Sequence, residues 1–151
     1  MSQMIYMAYG SNLNKEQMSI RCPDAEVLGR FLMPDYRLVF KGVADMIPAA
    51  GYKCPVALWR ITDACEEALD IYEGFPKLYR KEYWTHKDGQ MFMAYVMNRD
   101  GLAPPPPYYL DCIRDGYKDF GLDAAYLDEA VKLSMEYQSD EGHIPKKYRN
   151  G

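Results

Sequence analysis

The sequence predicts an α+β fold, a small closed β-barrel with helices packed against it. Three observations predict this. Residues 55–61 and 90–98 are apolar on both alternating faces, which a sheet with one wet face does not house. Helical segments recur three times beyond residue 62, two of them opened by capping residues. The chain of 151 residues suits one domain, 1–151, with volume for a real core.

The first element is the apolar run Met4-Ile5-Tyr6-Met7-Ala8-Tyr9, halted at Gly10, which predicts a buried strand. A tight Gly10-Ser11-Asn12 turn follows. Asn14 then caps a short helix over residues 15–21, with Gln17 able to bond back to it, and Cys22-Pro23 end it. A strand–turn–helix of this kind aims backbone N–H groups outward at a positive helix end, a site for an anion or a polarised carbonyl. The alternative is an ordinary βα connection. Residues 25–40 read as two short strands or one bent strand, interrupted at Gly29 and Pro34. Gly42, Pro48 and Gly51 predict a loop over residues 42–53, with a weak strand near Met46-Ile47.

A helix opens on the Asp63 and Glu66 capping pattern, with Cys65, Ala68, Leu69 and Tyr72 as its apolar stripe. Gly74 suits the left-handed cap, and Pro76 completes the stop. Residues 78–86 and 90–98 form a hairpin that turns at Asp88-Gly89. The four prolines 104–107 make a stiff connector too short to separate domains. Helices over residues 108–120 and 123–138 follow, the second capped by Asp123 and burying Leu127, Ala130, Val131 and Met135. Residues 143–151, with Lys146, Lys147 and Arg149, read as a solvated tail.

Composition narrows the function. A net charge of −4 provides no basic field, so neither nucleic acid nor an anionic membrane is the expected partner. No apolar run nears the roughly 18 residues that span a bilayer. Cys22, Cys54, Cys65 and Cys112 form no CxxC pair, which argues against a local zinc site and a redox motif. Their even number leaves disulfides open, but no signal-peptide pattern precedes Met4, so reduced thiols and a cytoplasmic location are expected. Neither a metal nor a cofactor is required by any cluster of ligands. The 14 tyrosines serve a core, or the surroundings of a small polar ligand.

Glu73 alters that balance. It lies in the last helical turn before Gly74, where the helix dipole is negative and a carboxylate is disfavoured by about 0.3–1 kcal/mol. Its proton affinity should rise, more so if Tyr72, Phe75 and Tyr79 exclude water, giving a general acid/base near neutral pH. The alternative is a surface glutamate beside a glycine cap.

Tyr9-Gly10-Ser11-Asn12-Leu13, together with Leu69-Asp70-Ile71-Tyr72-Glu73-Gly74 and the following Tyr79, resembles the γ-glutamylcyclotransferase-like superfamily, AIG2-like proteins included. Ala103, the four prolines, Tyr108-Tyr109 and Gly121-Leu122 resemble γ-glutamylcyclotransferase proper, so the likeness spans roughly residues 4–138. It implies a mixed barrel with flanking helices and a pocket at the turn. It also implies Glu73 as the catalytic residue, and Tyr9, Gly10, Ser11, Asn12, Leu13, Tyr79 and Tyr109 as substrate-binding residues. Between Glu73 and Tyr79 the chain is one residue shorter than the spacing of γ-glutamylcyclotransferase itself.

The activity implied is cyclisation of a γ-glutamyl amino acid or γ-glutamyl amine to 5-oxoproline, which needs no cofactor. Lys77, Arg80 and Lys81 are candidates for a leaving-group carboxylate, or else solvated hairpin charges. The competing reading is a non-catalytic small-molecule binding or interaction protein on the same barrel. Monomer and homodimer both remain open.

Overall fold

The computed structural model describes residues 4–138. The expected tail at 143–151 lies outside them, as do its lysines and arginine. The element order is β1 (Met4–Ala8), a 3-10 turn (Ser11–Leu13), α1 (Lys15–Arg21), β2 (Glu26–Lys41), β3 (Val43–Ile61), α2 (Asp63–Glu73), β4 (Tyr79–Thr85), β5 (Met91–Met97), α3 (Pro107–Phe120) and α4 (Ala124–Glu136). The strands form one five-stranded sheet in the order β2-β3-β1-β5-β4. β1 is central, antiparallel to β3 and parallel to β5, which is why its residues are almost all buried. The α+β class is as expected.

The expected closure is corrected. Among the described residues no strand ladder joins β2 to β4, so the sheet is curled and open at the hydrogen-bond level. Its two edges meet through side chains, Tyr36 of β2 standing edge-on to Trp84 of β4 with ring centroids 5.7 Å apart. Curling and helix cover together bury both faces of the central strands, so the apolar pattern is satisfied without closure.

Residues 25–40 form one strand, bent by register shifts between Val27 and Gly29 and between Pro34 and Tyr36. The loop expected over residues 42–53 is instead strand. β2 and β3 pair from Lys41↔Val43 to Tyr36↔Pro48 and resume at Pro34↔Lys53. Residues 49–52 therefore bulge opposite Asp35, whose carboxylate accepts the Gly51 N–H at 3.0 Å. Pro48 and Pro55 are tolerated because both precede the stretch of β3, Ala57 to Ile61, that β1 pairs with.

Local signals elsewhere hold with changes, and Met135 of α4, expected on the buried side, is exposed while Leu133 is buried. Asn14 caps α1 by accepting the Gln17 N–H, but the Gln17 side chain turns to Arg21 in place of reaching back. Thr62, one residue ahead of the expected Asp63, caps α2 through the Cys65 N–H. Asp123 caps α4 as expected. The core under these helices is sealed by Leu13, Met18, Leu69, Ile113 and Leu127. No helix among the described residues is long and apolar enough to cross a membrane.

The cysteine expectation is also corrected. Cys22, at the end of α1, and Cys65, in the first turn of α2, are joined by a disulfide with Cα atoms 4.9 Å apart, while Cys54 and Cys112 are free. The two cysteines are 43 residues apart in sequence, so no local spacing could announce the pairing.

Candidate active site

The site forms where β1 ends and the chain turns at Gly10. A Cβ added there would lie 3.1 Å from the Ala44 Cβ and 3.4 Å from the Tyr109 hydroxyl, so glycine lets this backbone pass between them. Leu13 N–H closes the first bond of the 3-10 turn onto Gly10 O at 3.0 Å. The amides of Ser11 and Asn12 precede that bond, and a helix start leaves such donors without an intrahelical acceptor. The turn is held from outside itself. The Trp59 indole N–H donates to Asn12 O at 3.2 Å, and Asn14 Nδ2 donates to Cys112 O at 3.1 Å.

Glu73 reaches the same place from the end of α2, which Gly74 terminates with φ of 65°. A cavity of about 240 Å³ separates the two, lined by Tyr9, Gly10, Ser11, Asn12, Glu73, Tyr79 and Tyr109. Of the catalytic and substrate-binding residues that the resemblance implies, Leu13 alone does not line it. Leu13 is fully buried beneath the turn, against Gly116 of α3. A larger cavity, about 570 Å³, opens beside Lys41 and Asp45 and is lined by none of the motif residues.

The site holds more than the motifs indicated. Tyr6, Tyr72, Tyr95, Val43, Ala44 and Leu78 complete the lining. The tyrosine hydroxyls are engaged by the protein. Tyr79 donates to Ala44 O at 2.6 Å and the Ala44 N–H donates to the Tyr109 hydroxyl at 3.0 Å, so the backbone of one residue holds both rings. Tyr9 donates to the Tyr95 carbonyl, Tyr95 to Asp70 at 2.6 Å, and the Tyr72 hydroxyl lies 2.7 Å from Ser11 Oγ. Such rings offer a ligand apolar surface more than free hydroxyls.

The electrostatics concentrate on Glu73. Burial raises its carboxyl from the ordinary carboxylate range to about 7, against a smaller opposing effect of the Arg21 guanidinium. Asn12 Nδ2 stands 3.4 Å from Glu73 Oε1 and 3.0 Å from the Tyr6 hydroxyl, while Asn12 Oδ1 accepts from Arg21 at 2.6 Å. Burial likewise pushes Tyr6 and Tyr9 far up, so both are neutral. The candidates for a leaving-group carboxylate do not reach the cavity. Lys81 is bound to Glu66 at 2.6 Å and Asp70 at 2.9 Å, and Arg80 to Glu82 at 3.0 Å.

The curled α+β scaffold thus sets a carboxyl raised to about 7 across a small cavity from the turn that follows β1. The family model described as gamma-glutamyl cyclotransferase, AIG2-like, matches residues 6–113, more than half of the chain, and the chain belongs to that family. Gamma-glutamylcyclotransferase of Mus musculus is 27% identical over 158 residues, covering 91% of this chain and 84% of its own. The Homo sapiens protein of the same name is 25% identical over 142 residues, covering 83% and 76%. A solved structure titled gamma-glutamyl cyclotransferase superposes with a TM-score of 0.73 at 22% identity, covering 97% of this chain and 95% of that one. That last likeness is one of fold.

Proposed function

We propose that this protein is a γ-glutamyl cyclotransferase, converting a γ-glutamyl amino acid or γ-glutamyl amine to 5-oxoproline and the free amine. The observation that carries the reading is the Glu73 carboxyl, raised to about 7 and facing the Ser11 and Asn12 turn across a small cavity. Family membership and the named relatives support it.

The substrate's α-ammonium cannot attack while protonated. Glu73 takes one proton, and the freed amine attacks the γ-carbonyl carbon of the same molecule to form the lactam C–N bond. Negative charge develops on the carbonyl oxygen, where turn amides act as fixed donors. As the γ-C–N bond breaks, Glu73 returns its proton to the departing nitrogen and receives the second proton of the lactam nitrogen. That proton leaves with the amine product, which restores the carboxylate. A group titrating near 7 suits both directions of transfer. Attacking and attacked atoms share one molecule, so the rings of Tyr79 and Tyr109 need only hold it folded. Intramolecular attack so arranged reaches effective molarities of about 10⁵–10⁸ M.

The test is Glu73→Gln with a panel of γ-glutamyl amino acids, γ-glutamyl amines and glutathione, 5-oxoproline being measured by mass spectrometry. The wild type should release 5-oxoproline from at least one class, and the variant should lose at least about a hundredfold in rate. Normal turnover by Glu73→Gln would overturn the assignment. Thermal stabilisation by these compounds without turnover in the wild type would replace the enzyme with a binding protein.

A further inference from the structure

Arg21 is the last residue of α1 and belongs to none of the motifs, yet two of its contacts lead to Glu73. Its Nη1 donates to Asn12 Oδ1 at 2.6 Å and its Nη2 to Gln17 Oε1 at 2.9 Å. Its guanidinium carbon lies 3.5 Å from the centroid of the Tyr72 ring, one residue ahead of Glu73 on α2. Arginine has donors and no acceptor, so the Asn12 atom facing it is the carbonyl oxygen. The amide nitrogen is thereby forced to the other side, where it meets the Tyr6 hydroxyl at 3.0 Å and Glu73 Oε1 at 3.4 Å.

We propose that Arg21 is a positioning residue for Glu73. It holds the Asn12 amide with its nitrogen turned to the carboxylate and stacks on the Tyr72 ring that fixes the end of α2. Without it, the Asn12 side chain is free to turn over and present its carbonyl oxygen to the carboxylate, two acceptors face to face. The proposal rests on the reading of Glu73 as general acid/base.

The charge of Arg21 has a second effect with a distinct signature. It opposes the burial that raises the Glu73 carboxyl, so losing it should raise that carboxyl further. The other groups facing Glu73 are the tyrosines Tyr6 of β1, Tyr9 just beyond its end, Tyr72 of α2, Tyr79 of β4, Tyr95 of β5 and Tyr109 of α3. Arg21 is therefore the cation among the groups named here. Burial raises the phenols of Tyr6, Tyr9, Tyr79, Tyr95 and Tyr109, so these five stay protonated across the working range and do not generate the signature themselves.

Arg21→Met and Arg21→Lys separate charge from geometry, with the exposed Lys15→Met of the same helix as control. Two quantities are read from pH about 6 to 9.5: kcat and KM for 5-oxoproline release, and the Glu73 carboxyl titration by carbon-13 NMR, assigned with Glu73→Gln. Arg21→Met should move the NMR midpoint and the acid limb of kcat upward together by about one pH unit, which adds a roughly fivefold deficit at pH 7 to a loss of kcat that persists at about pH 9 and above. Arg21→Lys should leave the midpoint near that of the wild type and lower kcat at every pH, because an ammonium cannot bridge Asn12 and Gln17 while stacking on Tyr72. Lys15→Met should change neither.

A folded Arg21→Met with unmoved midpoint and unchanged kcat overturns the proposal, and so does a full rescue of kcat by Arg21→Lys. If Arg21→Met does not fold, Arg21→Lys alone decides. The NMR midpoint reports on Glu73 whether or not the protein turns over. Failure here is thus distinct from failure of the enzyme reading, which Glu73→Gln decides.

Discussion

Glu73 is held in a place that favours its neutral form, and this has a thermodynamic consequence separate from catalysis. A carboxyl at about 7 in the folded protein, against an ordinary 4.5, binds its proton more tightly folded than unfolded. Its contribution to stability is therefore complete below the unfolded value and is lost as pH rises through about 7. Glutamine does not titrate and accepts the same Asn12 donor. Glu73→Gln should match the wild type near pH 4 and exceed it by up to about 3 kcal/mol near pH 8.5. Urea unfolding at the two pH values measures the gap; one that does not widen with pH would show that Glu73 is not buried as drawn. The position of this acid was legible in sequence because a carboxylate before a C-terminal glycine is a local anomaly. Arg21 was not legible. Its partners Asn12 and Tyr72 lie on other elements, and an arginine ending a helix is electrostatically ordinary.

Among the elements, α3 and the 3-10 turn have the least room between them. A Cβ added at Gly116 would stand 2.6 Å from the Leu13 Cβ, 2.7 Å from the Leu13 carbonyl carbon and 2.8 Å from the Asn14 nitrogen. Two of those three atoms are backbone and cannot rotate away. Gly116→Ala should therefore push the turn off α3, costing about 1–3 kcal/mol and raising KM, while the exposed Lys118→Ala on the same helix changes neither. Thermal unfolding and KM for a γ-glutamyl substrate provide the check, and an unshifted Gly116→Ala would mean the turn does not rest on α3. The helices and the β4–β5 hairpin were readable because caps and periodicity are local. β3 was not, since Pro48 and Gly51 signal a turn equally well in a loop and in a bulge. Only the pairing with β2, which depends on residues far away, decides between them.

At the scale of the whole molecule, the cavity draws walls from β1, the turn, β3, α2, β4, β5 and α3, so its shape depends on how those elements are braced from behind. Next along β3 from Ala44, whose backbone N–H and C=O hold Tyr109 and Tyr79, Asp45 forms the ion pair Lys41–Asp45 at 2.6 Å, with side chains 3% and 2% exposed. Asp45 also accepts the Met46 and Met97 N–H groups, both at 2.9 Å, which ties β3 to β5. Apolar strands on both faces suggested a closed barrel; what braces the curled sheet at this point is a charge pair that no hydrophobic pattern reports. Desolvation raises the Asp45 carboxyl while Lys41 opposes it, so removing the lysine leaves a buried carboxylate uncompensated. Lys41→Met should cost about 3–5 kcal/mol at neutral pH. The cost should shrink as pH falls, because the orphaned Asp45, now harder to ionise, takes up a proton and needs no partner. Lys41→Met with Asp45→Asn, which keeps an acceptor for both amides, should recover part of the loss at neutral pH. Urea unfolding of the three proteins measures this. If the single variant is no less stable than the double, the pair is not what braces the wall, and the tyrosine clamp on Ala44 must be held by the strand ladder alone.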